Sequence, residues 1–127
     1  MNAINIYTNK TELSRGLTSF ILKLCEQKDR LNISLSGGST PKAVFEYWSA
    51  QEKSALPWDK LRFFWGDERC VPPDDEMSNY GMTKEFLFDQ VPVPAKNIFR
   101  IMGENNPEKE AMRYGKLLTE ELKTVNG

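Results

Sequence analysis

A chain of 127 residues fits a single domain and is long enough to bury a core. Its 17 lysines and arginines nearly balance 18 aspartates and glutamates. The basic residues are also scattered, which excludes the electrostatic footprint of a nucleic-acid binder or of a protein drawn to anionic membrane.

Met1-Asn2-Ala3-Ile4-Asn5-Ile6 lacks the charged and apolar regions of a secretory leader, and no apolar run approaches the length that crosses a bilayer, so a soluble, cytoplasmic protein is expected. Ile4-Asn5-Ile6-Tyr7 is predicted as a first short strand. Asn9 or Thr11 then caps a helix that carries Leu13, Leu17, Phe20, Ile21 and Leu24 on one face. Cys25 lies beside that stripe as a partly buried thiol. Cys25 and Cys70 match no metal or redox spacing and read as free thiols of a reducing compartment. Asn32 to Ser36 form a second strand, which ends in Ser36-Gly37-Gly38-Ser39-Thr40-Pro41. Pro41 suits the first position of the next helix, which continues through Ala43, Val44, Tyr47 and Trp48.

Leu61-Arg62-Phe63-Phe64-Trp65 is apolar enough to be a parallel strand covered on both faces. It ends in Gly66-Asp67-Glu68-Arg69. Residues 71–79 read as a loop, and Ser78-Asn79 caps a helix with Met82, Phe86 and Leu87 inward. Val91-Pro92-Val93-Pro94 is an extended connector, and Ile98-Phe99-Arg100-Ile101 a short strand. A last helix from Pro107 places Ala111, Tyr114, Leu118 and Leu122 on one stripe. The three tryptophans, Trp48, Trp58 and Trp65, read as core or interface residues.

Strands alternating with helices predict an α/β protein, a three-layer α/β/α arrangement around a mostly parallel sheet. Three or four parallel strands leave edges to be covered, and the chain stops after a helix where another strand is expected. Residues 1–127 therefore read as the incomplete N-terminal part of a single, larger α/β domain. An exposed strand edge would favour self-association.

The chemistry concentrates where two strands end. The Ser36–Pro41 turn aims unpartnered amides and the positive end of a helix dipole at an anion, with hydroxyls from Ser39 and Thr40. Gly37 and Gly38 let a ligand approach the main chain. A phosphate on a small molecule is the expected ligand; the ending Gly-Lys-Ser/Thr of a nucleotide-binding loop is missing. Arg69 reads equally as a bidentate phosphate ligand or as the ion-pair partner of Asp67, Glu68 or the acidic loop. Asp67 reads equally as a group that orients water or substrate and as a turn-former after glycine. Glu68 reads as structural and Lys42 as a solvated side chain. Asp74, Asp75 and Glu76 lack the spacing of a calcium loop, so no metal is expected.

In order, Ser36-Gly37-Gly38-Ser39-Thr40-Pro41, Phe64-Trp65-Gly66-Asp67-Glu68-Arg69-Cys70-Val71-Pro72 and Ser78-Asn79-Tyr80 closely resemble the 6-phosphogluconolactonases, of a superfamily shared with the glucosamine-6-phosphate deaminases. The resemblance covers that family's N-terminal half. It implies an α/β/α domain that hydrolyses 6-phosphoglucono-δ-lactone to 6-phosphogluconate in the oxidative pentose phosphate pathway, with no metal or organic cofactor. It implies further that Gly37, Gly38, Ser39, Thr40 and Arg69 hold the substrate phosphate and that Asp67 lies beside the lactone. Arg69 after the Asp-Glu pair matches the lactonases, where the deaminases usually carry tyrosine. The family's general base is a histidine in a glycine-rich stretch of the second half. This chain has no histidine, and a carboxylate is a weaker base than an imidazole. The isolated chain is therefore expected to be almost inactive. A deaminase-like enzyme and a non-catalytic sugar-phosphate sensor remain the alternatives.

Overall fold

In the computed structural model, which describes residues 3–123, short polar caps and long apolar runs set the elements. Helix α1, Lys10–Gln27, starts where the Asn9 side chain accepts a hydrogen bond from the Glu12 amide at 2.8 Å, so Asn9 and not Thr11 is the cap. Strand β1, Leu31–Leu35, leads through the glycine turn into α2, Ser39–Gln51. A 3-10 turn over Trp58–Lys60 delivers the chain to β2, Leu61–Trp65. Helix α3, Asn79–Thr83, runs on as a π-helical turn over Lys84–Phe88. A second 3-10 turn, Ala95–Asn97, precedes α4, Pro107–Glu121.

The sheet of the described residues is parallel and has two strands, with Leu31 opposite Leu61 and Leu35 opposite Trp65. Because strand side chains alternate, Leu31, Ile33 and Leu35 share a face with Leu61, Phe63 and Trp65. Helices α1 and α2 pack against each other over that face. Phe45, Trp48, Leu61, Phe63 and Leu87 are fully buried there. The Trp48 indole N–H donates to the Thr18 hydroxyl at 2.8 Å and fastens the two helices.

Arg62 and Phe64 occupy the opposite face, where α4 lies. Arg62 is buried, bonds Asn32 of β1 and pairs with Glu121 at the end of α4; Phe64 stacks on Phe99 with ring centroids 4.6 Å apart. All five residues of β2 are buried, as expected of a strand covered on both faces. Helices thus flank the sheet on both sides.

Two expected strands are not formed. Residues 3–7 form no strand, with Ile4 and Ile6 exposed; a strand needs a neighbour to satisfy its main chain, and none lies alongside among the described residues. The segment from Ile98 to Ile101 makes one parallel bridge, Phe63 with Ile98, reinforced by the Phe99 amide donating to Phe63 at 2.9 Å. It then turns, since the Gly103 amide already bonds the Ile101 carbonyl. The expected stripe of α1 is also displaced. Ser14, Thr18, Ile21 and Cys25 are buried, while Leu17 and Phe20 are exposed. Leu122 lies just past the end of α4, as its C-cap.

Candidate functional site

The ends of β1 and β2 are tied together, because the Gly66 amide donates to the Leu35 carbonyl at 3.1 Å. The glycine turn and the Asp67 turn therefore leave the sheet side by side, at the carboxyl ends where parallel sheets hold ligands.

Gly38 caps α2 with φ of 106°, a region that side chains with a Cβ rarely adopt, and offers no side chain to the helix. The first helical residues are Ser39, Thr40 and Pro41. Pro41 therefore stands third in the helix and not first. The change costs nothing, since an amide there would also lack a helical partner. Among the described residues, the amides of Gly38, Ser39 and Thr40 donate to nothing, and the hydroxyls of Ser39 and Thr40 are likewise without partners. Gly37 serves another purpose. A Cβ there would stand 2.1 Å from Oδ1 of the buried Asn79, so only glycine lets that amide close over the turn.

Asn79 joins the two corners. Its Nδ2 donates to the Asp67 carbonyl at 3.3 Å and reaches the Asp67 carboxylate at 3.4 Å. Glu68 builds the floor. One carboxylate oxygen accepts from the amides of Arg69 and Asn79, at 2.7 Å each, and the other from the Ser78 hydroxyl at 2.9 Å and the Tyr80 amide at 3.0 Å. The Ser78 hydroxyl oxygen in turn accepts from the Gly81 amide. From below, the Tyr114 hydroxyl accepts from the Trp65 amide at 3.0 Å and donates to the Phe99 carbonyl at 2.7 Å, so α4 holds the last residue before the Gly66 corner. Burial pushes the Tyr114 phenol up from its ordinary value and keeps this donor protonated.

An open cleft of about 690 Å³ is bordered by Gly38, Lys42, Arg69, Ser78 and Asn79. The Arg69 guanidinium has no ion pair or hydrogen bond among the described residues. Lys42, expected as an ordinary solvated side chain, lies over the Phe86 ring at 4.4 Å and also borders the cleft. Asp67 is exposed and opens onto the adjoining hollow shared with Glu68, Arg69 and Cys70. Thr40 sits on the other flank of the α2 start, beside β1. Gly38 and Arg69 thus share one cavity, with Gly37 and Asp67 fixed to its edge through Asn79. Sequence reading passed over Asn79 as a cap partner and Lys42 as solvent-facing. The signal for Asn79 was its place next to a capping serine, one residue into a helix that opens on the cleft. Among the described residues no cluster of metal-ligating side chains occurs, and no helix is long and apolar enough to cross a membrane.

The two parallel strands, flanked by helices and ending in turns beside one cleft, define a layered α/β protein of the kind that holds ligands at its strand ends. Residues 9–126 match the family described as glucosamine-6-phosphate isomerases/6-phosphogluconolactonase, and the chain belongs to that family. It is 40% identical over 126 residues to a 6-phosphogluconolactonase of Haemophilus influenzae, covering 98% of this chain and 52% of that protein. The solved devB protein superposes with a TM-score of 0.90 at 41% identity, over 96% of this chain and 52% of that one. The 6-phosphogluconolactonase of Thermotoga maritima superposes at 0.85 with 27% identity, over 97% and 55%. The chain spans about half the length of the curated relatives it matches.

Proposed function

We propose that this chain is the phosphate-holding N-terminal half of a 6-phosphogluconolactonase domain. One observation carries the reading. Gly38, at the unpartnered amide end of α2, borders a cleft that is also lined by Arg69, whose guanidinium has no partner among the described residues, and by Lys42. A phosphate dianion seated there takes the amides of Gly38 and Ser39 and the Ser39 hydroxyl, whereas Thr40, on the flank of α2 beside β1, borders a different hollow. Gly37 contributes indirectly, by letting Asn79 close over the turn, and Arg69 supplies a charge-assisted contact. The names of the similar proteins support the lactone as substrate.

In the reaction, water adds to the C1 carbonyl of 6-phosphoglucono-δ-lactone, the C1–O5 bond breaks, and the ring oxygen leaves as the C5 hydroxyl while C1 becomes the carboxyl. Asp67, held by Asn79 at the rim, orients water or substrate. The water's proton needs a base near neutral pKa, and the histidine that the resemblance implies is not among these 127 residues. The chain alone then binds without turning over. It needs no cofactor, and a cytoplasmic setting suits its two free cysteines, buried Cys25 and exposed Cys70.

Calorimetric titration with 6-phosphogluconate tests the reading. Binding that weakens in Arg69→Ala, with no lactone hydrolysis above solvent and no ammonia release from glucosamine 6-phosphate, is the expected result. Absence of any binding would leave a family fold without a working site, and turnover near that of a full-length relative would overturn the assignment of the base.

A further inference from the structure

Among the described residues, every α-helix but one begins beside a carboxylate. Glu12 stands in the first turn of α1 and Glu108 in that of α4, and Glu68 accepts from the amides that open α3. The first turn of α2 has no acidic residue and carries Lys42 instead, whose amide donates to the Gly38 carbonyl at 3.2 Å. A cation there meets the positive end of the helix dipole and the unpartnered amides, so folding alone disfavours it. Helical side chains lean toward the N-terminus of their own helix, so a residue four places after Gly38 leans back toward the glycine turn. Lys42 is half-buried, and its ammonium lies over the Phe86 ring at 4.4 Å, on the cleft that Gly38 and Arg69 also border. The other lysine of this cleft, Lys84, is paired with Asp89 at 2.8 Å. Lys42 has no ion pair among the described residues, although Asp74, Asp75 and Glu76 border the same cleft.

We propose that Lys42 is a second cation for the bound phosphate, beside Arg69, and the residue that makes the site prefer a dianion to a monoanion. The inference rests on the phosphate reading of the cleft and adds to it a residue and a charge preference. Phe86 holds the ammonium at the rim through its ring face, an attachment that a charge-assisted bond to phosphate outweighs. Electrostatic attraction scales with the product of the charges. A phosphate monoester carries close to two negative charges above its second pKa of about 6, whereas a sulfate monoester of the same shape carries one. An unpaired cation at the site therefore widens the gap between the two esters.

The test is calorimetric titration of the chain with glucose 6-phosphate and with glucose 6-sulfate, at a pH of about 8 where the phosphate is a dianion. Lys42→Met is expected to weaken the phosphate ester about tenfold and the sulfate ester about threefold, so that the preference narrows about threefold. Lys42→Arg should keep the preference. Methionine retains an apolar contact with Phe86 and removes the charge opposed to the dipole, so the unliganded Lys42→Met chain should melt no lower than the unaltered one. Equal weakening of both esters, or a preference untouched by Lys42→Met, overturns the proposal. So does a lower melting temperature with unchanged affinities, which would make Lys42 a structural partner of Phe86. Binding of neither ester by the unaltered chain would strike the phosphate reading itself, and the charge preference with it.

Discussion

The N-terminus of α3 is saturated from within, and that of α2, at the same cleft, is left open. At α3, Ser78 caps the Gly81 amide, and the Glu68 carboxylate takes the amides of Asn79 and Tyr80. At α2, the cap is a glycine with no side chain, and the amides of Gly38, Ser39 and Thr40 have no partner among the described residues. The same dipole and the same orphan donors act at both ends. Glu68 shows what an internal anion does with such a terminus: it fixes a turn, a serine and a helix in one geometry. The open terminus has the same appetite and no internal anion to meet it. The saturated corner thus acts as scaffold for the open one, and Asn79 connects them by pressing on Gly37 while holding Asp67.

Removing the internal anion is the strongest way to break this comparison. Glu68→Ala strands two main-chain donors of α3, the Arg69 amide and the largely buried Ser78 hydroxyl, and should cost on the order of 3 kcal/mol. Chemical denaturation of the pure chain measures it. If the corners are alike in kind, added phosphate should recover part of the loss by entering the vacated α3 terminus. No recovery would mean that Glu68 acts through its side-chain packing and not its charge.

At the open terminus, Arg69→Ala removes a guanidinium with no internal partner. Stability should hardly change, while affinity for 6-phosphogluconate should fall by about 2 kcal/mol, roughly thirtyfold. A loss of stability with unchanged affinity would return Arg69 to a structural role. Gly38→Ala sharpens the contrast further. No atom lies within 4 Å of the added methyl, so only the φ of 106° opposes it. The strain is about 1–3 kcal/mol. The chain should either lose that stability or relax the turn, and in both cases the anion site weakens while α3 keeps its hydrogen bonds. Calorimetry and thermal melting on the same sample separate the two responses.

Much of this was legible in the residues. The helix start at Ser78-Asn79, the core placement of Trp48, Trp58 and Trp65, and the five-residue β2 follow from capping and apolar patterning that act locally. Ile4–Tyr7 and Ile98–Ile101 carry the same local pattern. Whether such segments pair depends on neighbours, and a strand's pattern does not name its partner. Leu17 and Phe20 fail for a related reason: helical spacing identifies an apolar face without saying what covers it. At the site, the glycine turn was readable because a strand end, two glycines and a helix start lie next to one another in sequence. The Asn79 bridge was not, since it links positions 37, 67 and 79 through space, and only a parallel register with both turns on one edge brings them together.

The smallest expected effect concerns Glu110, a carboxylate in the first turn of α4 that accepts from no amide of its own helix. Glu110 is buried, accepts from the Met102 amide at 2.6 Å, and is paired with Arg113. Hydrogen bonding from Arg113, helped by the Met102 amide, holds its carboxyl below the usual carboxylate range. The unfolded chain therefore binds this proton first as pH falls. The stabilisation from Glu110 is complete above the ordinary glutamate value of about 4.3 and is lost as pH drops through the lower folded value. In Glu110→Gln the charge-dependent part is already absent. Melting temperatures of the two proteins should differ at neutral pH and converge in acid, whereas a constant gap down to low pH would mean that Glu110 contributes by packing and not by its charge.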